Sequence, residues 1–186
     1  LGMPAVAVVG LVEELGRAAF PCPLLPTLSA TYVLAACGSA GEAALAEIAE
    51  GCSATLAITN REGSWEAGDT DVAVVDGKLS GSAWFVQEAR KVERLLVSAR
   101  SDNGVALFWV AADAPGVSIA PDAIVDLTRD RAHVQFDAVD AQRVSADGVA
   151  SLEQAMPAIW TILAADVVGA AEWQLQTTVE YVSTRQ

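Results

Sequence analysis

Basic residues are scarce: 11 Lys and Arg stand against 24 Asp and Glu, for a formal net charge of −13. A surface that acidic repels phosphate backbones, which argues against nucleic acid as a partner. Histidine occurs once, at His133, and the three cysteines (Cys22, Cys37, Cys52) lack metal-ligand spacing, so no metal site is expected. Their odd number fits free thiols in a reducing cytoplasm better than a disulfide framework. Long apolar runs are missing too. The most apolar one, residues 1–12, is too short to span a bilayer and runs straight into Glu13 and Glu14, so no membrane span is expected. It has neither a basic start nor a small-residue cleavage site, and so does not read as a signal peptide.

What is present is a chain of 186 residues, 53% hydrophobic, with a mean hydropathy of +0.37, enough to bury a core. Three zones follow one another, and they predict an α+β fold: a helical segment, a central β-sandwich or barrel, then the start of a helical bundle. The expected boundaries are 1–52, 53–148 and 149–186. In the first zone Val8, Leu11, Val12 and Leu15 share one helical face. The Pro-rich stretch from Pro21 to Pro26 breaks that helix, and Thr27 or Ser29 is the expected cap of a second one running to Cys37. Ser39 is the expected cap of a third, over 42–49. From Ser53 the hydrophobic period changes to two. Strands are expected at 55–59, 72–75, 78–86, 94–99, 105–111, 117–119 and 132–136, with turns at Asp76-Gly77, Asp102-Asn-Gly104 and Ala114-Pro-Gly116. The last zone predicts one long helix from Ser151, with Ser151 and Gln154 as a capping box and Pro157 in its first turn. Neither end carries a terminal signal for its helix, which reads as a piece of a larger protein.

Four local patterns in this order carry a family resemblance. Val12-Glu-Glu-Leu-Gly-Arg-Ala18 precedes the Pro-rich turn; Ala57-Ile-Thr59 runs into Gly63-Ser64; Trp84-Phe-Val86 lies on a later strand; and Glu180-Tyr-Val-Ser-Thr-Arg185 closes the chain. Together they resemble the acyl-CoA dehydrogenases over nearly the whole sequence. The resemblance implies the end of an N-terminal helical domain, the middle β-domain and the first C-terminal helix. It implies FAD as cofactor, held by Ile58, Thr59, Trp84, Phe85 and Val86, with Ser64 near the substrate. Trp84 would cover the flat isoalloxazine ring, and Thr59 would hydrogen-bond its polar edge. The implied reaction is oxidation of an acyl-CoA thioester to the 2-enoyl-CoA, in lipid metabolism: a carboxylate takes the α-proton and the β-hydride goes to the flavin, which passes electrons to a separate carrier. A homo- or hetero-oligomer, dimer or tetramer, is implied as well.

The sequence also departs from that family. Asn60 and Arg61 stand where Glu-Pro is usual, with one residue fewer before Gly-Ser, and Val86 stands where many members have a donating Thr. Counting back from Arg185 by the family's spacing for a helix-borne base reaches Ile159, which cannot act as one, so no catalytic residue is assigned. These departures keep a second reading open, a non-catalytic partner subunit or half-domain that has lost flavin or base. A third is a plain apolar-ligand β-barrel. Read from the residues alone, Trp84 also suits a sandwich core and Thr59 an ordinary turn. Arg90, Lys91, Arg94, Arg129 and Arg131 are candidates for meeting the phosphates of FAD or CoA. His133 has no adjacent Ser, Cys or Asp to make it catalytic, and its strand leaves its direction open.

Overall fold

The computed structural model describes residues 5–126 and 128–185. The first four residues of the apolar run, Leu127 and Gln186 lie outside them. Helices α1 (Ala5–Arg17), α2 (Leu24–Ala36) and α3 (Glu42–Ala49) precede strands β1 (Ala54–Ala57), β2 (Asp71–Val75), β3 (Lys78–Gln87), β4 (Arg94–Ser101), β5 (Gly104–Ala111), β6 (Val117–Pro121), β7 (Arg131–Val139) and β8 (Gln142–Ser145), and α4 (Gly148–Thr184) closes the chain. The α+β class and its helix–sheet–helix order are as expected. The chain folds as two compact units, one from residues 22–156 and the other from α1 with α4 from Pro157 onward.

In the larger unit the strands form one mixed sheet in the order β6-β7-β3-β2-β4-β5-β8, with β1 paired in parallel to β4. Its largest apolar cluster gathers on one face, while β4 and β5 are buried on both. Val72, Leu79, Ala83, Val86, Leu95, Val97, Phe108, Val134 and Phe136 alternate inward there, as a period of two dictates. α2 packs against β1. The Thr27 hydroxyl fixes that contact, accepting from the Ala54 amide and lying 3.1 Å from the Ala54 carbonyl oxygen. Asp76 and Gly77, both at positive φ, make the tight β2–β3 hairpin that the sequence predicts.

Several expectations are corrected. α2 starts at Leu24 and takes Pro26 into its first turn, where a missing N–H costs nothing. Thr27 and Ser29 bond back to the Pro23 and Leu25 carbonyls and cap nothing. Ser39 falls in a 3-10 turn, Gly38–Gly41, and Gly41 precedes α3 without a side-chain cap. α4 begins before Ser151: Asp147 Oδ1 accepts from the Ala150 amide at 3.0 Å, while Ser151 donates to the Asp147 carbonyl. Pro157 therefore lies inside the helix. α4 also corrects the reading of apolar runs. It holds an 18-residue window with mean hydropathy 1.3, enough to cross a membrane by length and composition alone, because its few charges are widely spaced.

In the smaller unit α1 and α4 cross at two glycines. A Cβ on Gly16 would fall 2.0 Å from the Asp166 carbonyl oxygen, and one on Gly169 1.9 Å from that of Glu13. Only glycine permits backbones that close. Arg17 ties the crossing with an ion pair to Glu172 and a 3.2 Å bond to Gln176.

Candidate functional site

β3 is irregular where it carries Trp84. Its register against β7 shifts between Ala83 and Val86, and Phe85 takes φ = +54° inside the bulge. A left-handed non-glycine residue costs about 1–3 kcal/mol, and such strain concentrates at clamps and sites. The bulge has a geometric purpose: Ala83 and Val86 both stay in the core, while Trp84 and Phe85 both leave it. Trp84 is half-buried and Phe85 exposed. The sandwich-core reading of Trp84 is thus corrected.

The bulge sits beside the end of the first strand. The Trp84 amide donates to the Thr59 carbonyl at 3.0 Å, so Ile58-Thr59 and Trp84 lie edge to edge, with Ile58 and Thr59 buried. The loop after Thr59 then folds back over the two aromatics. The Arg61 guanidinium carbon lies 5.6 Å from the Trp84 ring centroid, and a Cβ at Gly63 would come within 3.7 Å of the Phe85 ring. Asp71 fixes Arg61 by accepting its amide at 2.9 Å. Asn60 Oδ1 accepts the Ser64 amide at 2.9 Å, and the Ser64 hydroxyl donates to Asp69 at 2.7 Å and accepts from the Glu66 amide at 3.2 Å.

His133 completes the group. It stacks on Trp84 with ring centroids 3.9 Å apart and planes 15° from parallel, and its Nε2 is buried without a hydrogen-bond partner. Its direction, left open by the sequence, is set by Ala132 and Val134 on either side, which belong to the core. The stacking was not legible either, since it depends on a bulge that no local pattern announces. Arg61 was visible only as a departure from the family.

Of the basic residues that were candidates for phosphate, three are engaged by carboxylates. Arg90 makes a two-pronged contact with Asp130 at 3.0 and 2.8 Å, Lys91 pairs with Glu88 at 2.6 Å, and Arg94 pairs with Glu47 at 2.7 Å. An open cavity of about 650 Å³ lies elsewhere, lined by Glu47, Glu50, Cys52, Glu93, Arg94 and Asp113 among others. Burial and the adjacent Glu93 push the Cys52 thiol up to about 11, which leaves it unreactive at neutral pH.

The isoalloxazine ring implied by the resemblance needs an open aromatic face, a donor near residue 86 and free polar groups on the loop. Here Trp84 is already stacked on His133, with Arg61 over it. Val86 is buried in the core and has no donor, and the Ser64 hydroxyl is held by Asp69. The residues of this chain do not fit a flavin by themselves.

No protein-family profile matches the chain, and no curated protein does. Solved structures do. A variant of the Tcur3481–Tcur3483 steroid acyl-CoA dehydrogenase matches all of this chain over 52% of its own length, with 31% identity and a TM-score of 0.84. The ChsE4–ChsE5 complex from Mycobacterium tuberculosis matches all of it over 52% of that chain, at 26% identity and a TM-score of 0.78. A glutaryl-CoA dehydrogenase from Mycobacterium smegmatis in complex with FADH2 shares the fold, with 18% identity, a TM-score of 0.81 and coverage of 100% of this chain and 52% of that one. The chain spans about half the length of each of these relatives.

Proposed function

The chain is a divergent member of the acyl-CoA dehydrogenase family, and from that premise we propose that it works in an assembly that uses FAD to oxidise an acyl-CoA thioester to the 2-enoyl-CoA. The observation that carries this reading is the bond from the Trp84 amide to the Thr59 carbonyl, 3.0 Å long. It joins, in the family's order, the two segments that flank the ring in the proteins this chain resembles. Electrons would leave through a separate carrier.

The relatives at 31% and 26% identity are both described as two-component proteins, and the first as acting on steroids. A mixed assembly working on a bulky, steroid-derived acyl-CoA is therefore the reading we take for this chain. Ile159, fully buried and apolar where a helix-borne base would fall, supports the same division of labour. On this reading the proton-accepting carboxylate comes from outside these 186 residues.

The test is to purify the polypeptide with the subunit that accompanies it and add an acyl-CoA with a steroid-derived chain under anaerobic conditions. Bleaching of the flavin absorbance band, with the 2-enoyl-CoA recovered by mass spectrometry, is expected. A flavin that stays oxidised with every acyl-CoA tried, straight or polycyclic, overturns the reading.

A further inference from the structure

The geometry points to Arg61, Trp84 and His133 acting as a built-in closure, by which this chain seals its own ring-covering position and leaves the flavin to the partner subunit. The inference rests on the function proposed above and deepens it.

Three independent features converge on this. The first is the stack itself. An imidazole 3.9 Å from the indole and nearly parallel to it takes up one aromatic face, and a guanidinium over the same ring adds a cation–π contact. A flavin laid on the face that His133 covers would have to displace the imidazole. The second is the anchoring of the cover. Arg61 is held through its backbone by Asp71, and the loop is cinched by Asn60 and Asp69 on Ser64, so the guanidinium is presented from a fixed turn. The third is charge. Asp69 and Asp71 set two carboxylates in that turn, and Glu62 and Glu66 are exposed beside them. An anionic group brought against that turn would meet repulsion, while Arg90, Lys91 and Arg94 are engaged by carboxylates. The bulge that throws Trp84 and Phe85 out of the core keeps the shape of a ring-covering strand, and the side chains around it close the surface it would present.

The experiment uses the assembly purified with its partner and reconstituted with excess FAD. Flavin released by acid is counted against each polypeptide, first for the wild type and then with Trp84→Leu or His133→Ala in this chain. Expected is about one flavin for every two subunits, unchanged by either substitution. Because Trp84→Leu could disturb the fold, Arg61→Ala at an exposed position gives a second readout. With a closed stack it alters tryptophan emission equally with and without FAD, and the flavin count stays the same. One flavin on every subunit, or a twofold or greater fall in flavin content on Trp84→Leu or His133→Ala in a folded assembly, overturns the closure. An assembly that takes up no flavin at all sinks the proposed function and the partner-held flavin with it, whereas one flavin on every subunit overturns the closure alone, so the two failures are distinguishable.

Discussion

Gly77 isolates the cost of a backbone angle. Its φ is +80°, and a Cβ added there meets nothing within 4 Å, so a substitution feels strain and no clash. Gly77→Val is expected to destabilise the larger unit by about 1–2 kcal/mol in urea unfolding, whereas Asp76→Asn, at a position asparagine tolerates, stays near neutral. Cys52 gives a pH signature. Its thiol is raised to about 11 chiefly by burial and then by Glu93. The folded value lies above that of the unfolded thiol, so the contribution to stability is complete below the unfolded value and is lost as the pH rises through the folded one. Alkylation of Cys52, followed by peptide mass mapping, should speed up about tenfold per pH unit between pH 8 and 10. A rate that levels off by pH 8 contradicts this. At this scale the sequence placed Trp84 on its strand, whereas Thr59, expected on the first strand, falls two residues past its end. The sequence could not show that Ser64 is bound by Asp69, or that His133 lies flat on Trp84, because both contacts join parts of the chain that only the fold brings together.

Elements with a clean period were legible, and the exceptions have physical causes. β8 went unseen because Gln142–Ser145 is short and polar, with only Val144 turned inward. The capping predictions at Thr27, Ser29 and Ser151 failed where a hydroxyl bonded back to the carbonyl of the preceding turn, an option open to Ser and Thr inside any helix. The α1–α4 crossing offers a paired test in a single helix. Gly16→Ala drives a Cβ into the Asp166 carbonyl and is expected to cost about 1–3 kcal/mol or more in a circular-dichroism melt. Gly10→Ala on the same helix meets nothing within 4 Å and should stabilise by about 0.5–1 kcal/mol. Equal effects at the two positions would mean that the close approach at Gly16 is not present in solution.

For the molecule as a whole, a charge of −13, with Arg90, Lys91 and Arg94 held by carboxylates, makes an acidic scaffold poorly suited to gripping an anionic cofactor alone. The family fold was legible because four patterns occurred in order along the chain. The departures at Asn60, Arg61 and Val86 were legible in the sequence, but the stack that joins Arg61 and Trp84 to His133 was not, because only the fold brings those residues together. The most direct measurement is an experimental structure of the purified assembly with FAD bound. The account predicts the isoalloxazine ring on the partner subunit, with Trp84 of this chain still stacked on His133. An isoalloxazine ring lying against Trp84, with Arg61 or His133 swung aside, would contradict it.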